Sequence, residues 1–302
     1  MSEFKQQEPV QEPLEAVADK EPENKTPEVK LDKHEKPKKP VKQEVMEWIF
    51  SLAIAVVAAL LIRTFIFEFV RVDGTSMLTT LNDREIMFTT KYDYWLGNLE
   101  RFDVVILHYP SRGNTTFVKR IVGMPGDTVE LQSGYLYVNG QRYEEDYIQD
   151  SYRTGYSNSF SAVRVPAKGD VLTWDGEGFL VNGEASDSII AYGTADLTAK
   201  CGSDTLAEVI TRGVQGTVSN AYFTYNGKVL KYKDGVCYLD GEPQAEDPLK
   251  GREFVVTADQ YFVMGDHWNG SNDSRAVGPI ERSLIRGHVR HVIFPFSKWR
   301  GI

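Results

Sequence analysis

Phe117-Val118-Lys119-Arg120-Ile121-Val122-Gly123-Met124-Pro125-Gly126-Asp127-Thr128-Val129 decides how most of this chain is read. Two short apolar runs flank a break rich in Gly, Pro and Asp, the pattern of strand, turn and strand. Neighbouring residues of a strand point to opposite faces, so Arg120 turns away from Lys119 and leaves the lysine free to face inward. The same grammar recurs at Ile86-Met87-Phe88-Thr89, Val104-Val105-Ile106-Leu107, Tyr261-Phe262-Val263-Met264 and Val289-Arg290-His291-Val292-Ile293-Phe294. The expected fold class is mainly β: an antiparallel β-rich domain with a hairpin-rich insertion, preceded by one transmembrane helix.

From the same starting point an internal echo runs along the chain. Gly126-Asp127-Thr128-Val129 leads through Ser133-Gly134 to Leu136-Tyr137-Val138-Asn139-Gly140. Gly169-Asp170-Val171-Leu172 leads through Asp175-Gly176 to Phe179-Leu180-Val181-Asn182-Gly183, and Lys228-Val229-Leu230-Lys231 leads through Asp234-Gly235 to Cys237-Tyr238-Leu239-Asp240-Gly241. Asn-Gly and Asp-Gly suit tight hairpin turns because both residues tolerate positive φ. Three hairpins are therefore expected, the last two inside an insertion over residues 150–252. One short helix is expected around Asp204–Thr211.

Upstream of the β-rich region the composition changes twice. Residues 1–43 hold six of the thirteen prolines and one aromatic, Phe4, among many Glu and Lys. Such a segment cannot bury enough apolar surface to offset its ordering entropy and reads as a disordered tail. From Trp48 to Ile62 every residue except Ser51 is apolar, and the character resumes at Phe65-Ile66-Phe67. A helix from Trp48 to Phe67 would cover about 30 Å, the thickness of a bilayer's hydrocarbon core. Residues 44–68 are thus expected to form an uncleaved anchor. Lys30, Lys33, Lys36, Lys38, Lys39 and Lys42 crowd its first flank. The positive-inside rule then places residues 1–43 in the cytoplasm, and 69–149, 150–252 and 253–302 on the outer side of the cytoplasmic membrane. Phe65, Phe67, Phe69, Trp95 and Trp299 are candidates to rest at the membrane interface.

The net charge of −9 comes with no basic stripe interleaved with aromatics, so nucleic acid is not an expected partner. The two cysteines, Cys201 and Cys237, share the insertion and an oxidising compartment, and are read as a disulfide pair worth about 2–4 kcal/mol. No Cys/His cluster has metal-ligand spacing. His288 and His291, three apart on a strand, would face opposite ways, so no metal and no cofactor are expected.

The remaining chemistry lies in three segments. Val72-Asp73-Gly74-Thr75-Ser76-Met77 follows the apolar run, and Lys119 comes next. Gly265-Asp266-His267-Trp268-Asn269-Gly270-Ser271-Asn272-Asp273-Ser274-Arg275 comes last. A serine hydroxyl needs a base within hydrogen-bond reach, and no histidine here has a triad context. A lysine can serve if burial depresses its pKa from about 10.4. In order and separation the three segments resemble the bacterial type I signal peptidases of the serine–lysine kind, across about 70–145 and 253–297. The resemblance implies a membrane-anchored serine endopeptidase that removes signal peptides from secretory preproteins after Ala-x-Ala-like sites, with no cofactor. Its partners would be the preproteins and membrane lipid.

Carried over, the resemblance makes Ser76 the nucleophile, with its backbone N–H in the oxyanion hole, and Lys119 the general base. Ser271 orients the lysine, and Asp273 and Arg275 form a structural ion pair. Gly265 and Gly278 allow close backbone approach. Val70, Val72, Met77 and Val118 line shallow pockets for small substrate side chains. Departures from the family pattern are Gly74, which carries no hydroxyl, Thr79 in place of a usual proline, and His267-Trp268 in place of a common Asn-Arg. The alternative is a specialised or non-catalytic assembly factor for pilins or surface proteins on the same fold.

Overall fold

The computed structural model describes residues 40–93, 99–109, 115–153, 158–176, 179–185, 197–211, 220–233 and 235–302. Nearly all of the tail expected over 1–43, and Trp95, lie outside the described residues. The apolar run forms helix α1 (Val41–Phe65), none of whose residues is buried. Its 25 residues make about 37 Å of helix, enough to cross a bilayer. It ends earlier than the 44–68 expected, because Phe67 already starts a strand. Phe67, Phe69 and Val70 are aromatic or β-branched and suit a strand better than another helical turn.

Four strands follow: β1 (Phe67–Arg71), β2 (Ile86–Thr90), β3 (Val104–His108) and β4 (Thr116–Gly123). The next four, β5 (Thr128–Gln132), β6 (Tyr135–Val138), β7 (Gln141–Tyr143) and β8 (Phe160–Arg164), make a sheet in the order β7-β6-β5-β8. Ten strands then form a sheet of their own. They are β9 (Val171–Trp174), β10 (Phe179–Val181), β11 (Glu184–Ala185), β12 (Leu197–Cys201), β13 (Asp204–Thr211), β14 (Asn220–Tyr225), β15 (Lys228–Lys233), β16 (Val236–Leu239), β17 (Glu242–Pro243) and β18 (Glu253–Val256). Their order is β11-β10-β9-β18-β12-β13-β14-β15-β16-β17. Finally β19 (Gln260–Met264), β20 (Ile280–Glu281), β21 (Ile285–Phe294) and β22 (Arg300–Gly301) return to the first sheet. That sheet runs β1-β2-β21-β3-β4-β19-β20, with β22 paired to β21, and every ladder in it is antiparallel. The fold is thus mainly antiparallel β with one apolar helix before it.

The three expected hairpins form, as β5–β6, β9–β10 and β15–β16. A fourth unit escaped the sequence reading. In each, an Asn or Asp at positive φ precedes a glycine at positive φ: Asn139-Gly140, Asn182-Gly183, Asn226-Gly227 and Asp240-Gly241. The side-chain oxygen of that Asn or Asp accepts a backbone N–H, from Thr128, Val171, Thr205 and Val229 respectively, at 2.8–2.9 Å. The turn residue therefore also pins the start of a neighbouring strand. Asn226 was missed because its partner Thr205 lies 21 residues back instead of 11.

Two expectations are corrected. The segment Asp204–Thr211 is strand β13, paired to β12 on one side and β14 on the other, not a helix. Thr205 and Glu208 have the spacing of a helix capping box, but Thr205, Val209, Ile210 and Thr211 are β-branched and favour a strand. Cys201 and Cys237 are free thiols, not a disulfide. Cys201 ends β12 and Cys237 sits on β16, and β13, β14 and β15 stand between them in the sheet.

Each sheet has an apolar core. Leu172, Leu206, Leu230, Leu249 and Phe254 are buried in the ten-stranded sheet. Val129, Leu131, Leu136, Val163, Phe262 and Trp268 join the four-stranded sheet to β19. Each such side chain contributes about 1.5–3 kcal/mol when removed from water. Gly123 ends β4 where the two layers meet, and a Cβ there would stand 2.5 Å from Val129 Cγ2 and 2.9 Å from Phe262 Cβ. Glycine is what lets β4 approach that core.

Candidate active site

Lys119 lies near the middle of β4, opposite Val105 of β3. Alternation along β4 points it to one face and Arg120 to the other, as expected. Its Nζ donates to Ser76 Oγ at 2.8 Å and to the Val118 carbonyl at 2.8 Å. The side chain is almost fully enclosed, with only 2% exposed. Burial pushes its pKa down to about 8, although the carboxylates of Asp273 and Asp266 pull upward; Arg275 adds to the depression. At pH 7 such a lysine is neutral in about one molecule in ten, against about one in three thousand at its ordinary value.

Ser76 follows β1 in a loop whose next residue, Met77, is buried beside Val72, Leu81 and Met87. Its carbonyl accepts the N–H of His267 at 3.0 Å, which ties the loop to the end of β19. The tie demands glycine at 265. A Cβ there would stand 2.3 Å from Ser271 Oγ and 2.4 Å from the Ser76 carbonyl oxygen.

Asp273 and Arg275 form the ion pair that the resemblance implied. Arg275 Nε and Nη2 donate to the two Asp273 carboxylate oxygens at 2.8 and 2.7 Å. Asp273 also caps the short helix α2 (Ser274–Val277) and accepts the Gly265 N–H at 3.0 Å. Burial pushes the Asp273 carboxyl up, but the Arg275 guanidinium and these hydrogen bonds outweigh it and hold the carboxyl below its usual range. Ser271 sits beside this pair. Its hydroxyl is buried beside Gly265, near enough to Asp273 to favour that carboxylate, but forms no well-aligned hydrogen bond and none to Lys119.

The four residues expected to meet substrate come together. Val72 and Met77 are buried in one apolar cluster with Val104 and Ile106, and Val70 and Val118 pack half-buried against it. Val118 immediately precedes the lysine, so the cluster adjoins Lys119 in the chain.

A second ion pair was not anticipated. Arg120 donates from Nε and Nη2 to the two oxygens of Asp266, at 2.9 and 2.7 Å, and from Nη1 to the Phe102 carbonyl at 2.9 Å. The Tyr147 ring covers the guanidinium at 3.9 Å, and Thr80 Oγ1 donates to Asp266. The signal was partial: alternation turned Arg120 away from Lys119, but that face of β4 is covered too, and a buried arginine needs a carboxylate, here Asp266 beside Gly265. Trp268 is likewise a core residue, with the guanidinium of Arg275 5.8 Å from its ring centre.

This geometry, a buried lysine against a serine with no histidine between them, sits on a β-rich domain that follows an apolar helix. The family model described as signal peptidase, peptidase S26, matches residues 45–294. Signal peptidase I of Bacillus licheniformis is 39% identical over 131 residues, 41% of this chain and 70% of that protein. Signal peptidase I S of Bacillus subtilis strain 168 is 40% identical over 133 residues, with the same shares covered. Signal peptidase IB of Staphylococcus aureus strain COL is 27% identical over 262 residues, 86% of this chain and 95% of that protein. The chain belongs to the type I signal peptidases of peptidase family S26. It is a hydrolase, a signal peptidase, with one helix apolar and long enough to hold it in a membrane.

Proposed function

We propose that the chain hydrolyses the bond after an Ala-x-Ala-like site in secretory preproteins, with Ser76 as nucleophile and Lys119 as general base. The observation that carries this reading is the 2.8 Å contact between Lys119 Nζ and Ser76 Oγ, made by a lysine whose burial favours its neutral form. Neutral Lys119 takes the proton of Ser76 as Oγ attacks the scissile carbonyl carbon. The Ser76 N–H meets the oxyanion that develops. The lysine ammonium then gives its proton to the leaving amine as the peptide bond breaks. Water, deprotonated by the same lysine, releases the acyl group from Ser76. The Val118 carbonyl fixes the position of Nζ throughout.

Ser271 and the Asp273–Arg275 pair support the site. The pair fixes the segment that carries Gly265 and Ser271, and the Ser271 hydroxyl, near the Asp273 carboxylate, turns to orient Lys119 when substrate excludes water. Shallow pockets for small side chains lie on the apolar cluster that holds Val72 and Met77, against which Val70 and Val118 pack. Helix α1 anchors the protein with residues 1–43 in the cytoplasm and the β-rich domain outside, because the lysines crowd that flank. The ten-stranded sheet, from β9 to β18 (171–256), overlaps the 150–252 insertion, whereas β8 (Phe160–Arg164) pairs with β5 in the four-stranded sheet. Two changes test the reading. Lys119→Arg should cleave nothing, because arginine stays protonated. Replacing the alanine before the cut with leucine should block wild type. Cleavage by Lys119→Arg at the wild-type rate would overturn the assignment.

A further inference from the structure

Ser76 stands between two peptide planes, and one residue holds both. The Ser76 carbonyl, in the plane that follows, accepts the backbone N–H of His267 at 3.0 Å. The Thr75 carbonyl, in the plane that precedes, lies 3.2 Å from His267 Nδ1 and also accepts the Leu78 N–H at 3.2 Å. A carbonyl only accepts, so Nδ1 carries the proton there. The imidazole is itself confined. Its centre lies 4.0 Å from that of the Tyr152 ring, tilted by 35°. On another side is Gly270, where a Cβ would stand 2.6 Å from Nδ1 and 2.7 Å from Cε1.

A trans peptide is rigid, and its C=O and N–H point in opposite directions. Fixing the Thr75 carbonyl therefore fixes the direction of the Ser76 N–H. We propose that His267 is a positioning residue whose imidazole, clamped between Tyr152 and Gly270, holds the orientation of the oxyanion donor at Ser76 together with the Leu78 N–H. This rests on the reading of Ser76 as the nucleophile. His267 exchanges no proton with substrate. It acts through the peptide plane, on an interaction that exists only when the oxyanion forms. Its loss therefore lowers kcat and leaves KM alone.

The test compares His267→Phe, His267→Asn and Ser76→Ala with wild type, each as the full chain in detergent, on one preprotein carrying an Ala-x-Ala site. Phenylalanine keeps the ring against Tyr152 and Gly270 and removes only the donor. Asparagine loses the ring but places its Nδ2 where Nδ1 stood. His267→Phe should lower kcat roughly 10- to 100-fold, the scale of a misplaced catalytic group, with KM within about twofold and an unchanged thermal midpoint. His267→Asn should recover kcat to within about threefold of wild type. Wild-type kcat in His267→Phe, or equal losses of kcat in both variants, would overturn the proposal. Cleavage by Ser76→Ala would instead overturn the underlying assignment of the nucleophile. With Ser76→Ala inert, a fully active His267→Phe strikes down the positioning role alone.

Discussion

Lys119→Met should make the protein more stable at neutral pH while ending its activity. The folded state holds the lysine pKa at about 8 against an ordinary 10.5, a penalty on the charged form of about 3 kcal/mol. The unfolded chain gives up its proton only near the ordinary value. The fold therefore bears the whole penalty below pH 8, and the penalty fades as pH rises from 8 to 10.5. By pH 10 less than about 1 kcal/mol of it remains. Methionine fills the same apolar space without a charge, but forfeits the hydrogen bonds to Ser76 Oγ and the Val118 carbonyl, about 1 kcal/mol each. The net expectation at pH 7 is a gain of about 1 kcal/mol, or about 2–4 °C in thermal midpoint for a domain of this size. At pH 10 the gain should vanish or reverse. Thermal unfolding in detergent, followed by tryptophan fluorescence at both pH values, measures the difference. A variant less stable than wild type at pH 7, or an advantage that persists unchanged at pH 10, would refute the claim that the lysine is held against its charge.

Glu145 offers the mirror case. Burial pushes its carboxyl up to about 7, even though Tyr147 and Arg153 bond to it. The fold thus favours the protonated acid, and stability is lost as pH climbs from 4.5 through 7. Glu145→Gln should match wild type near pH 4.5 and exceed it at pH 8 by up to about 3 kcal/mol; parallel stability curves would contradict this. Gly265→Ala should cut cleavage about 100-fold or more, because its Cβ would intrude on both Ser271 Oγ and the Ser76 carbonyl. Activity within twofold of wild type would show that the two segments can part without cost. Thiol titration of denatured, unreduced protein should count two free groups, Cys201 and Cys237, and a count of zero would restore the disulfide.

Local pattern made much of this structure legible. Strand alternation separated Lys119 from Arg120, and the Asn-Gly signals located three hairpins, because turn chemistry acts over a few residues. The spacing of 11 residues that revealed those units hid the fourth, where Asn226 reaches 21 residues back to Thr205. The helix expected around Asp204–Thr211 fails for a related reason: the strand state of that segment also rests on pairing with β12 and β14, outside it. At the site, the residues with chemistry of their own could be named in advance. Residues that act by holding others were named only where the resemblance carried them, as with Asp273 and Arg275. Asp266, Tyr147 and Tyr152 owe their places to contacts across 146, 27 and 115 positions, with Arg120 and His267. His267-Trp268 was visible only as a departure, and the place of its ring appears only against the loop that carries Ser76.

The central claim is that Ser76 and Lys119 carry out signal-peptide cleavage. The most direct test is to incubate an Ala-x-Ala preprotein in detergent with wild type and with Ser76→Ala, and to locate the cut by mass spectrometry. Cleavage after the second alanine by wild type alone is the expected result. The same cut made by Ser76→Ala would contradict the account.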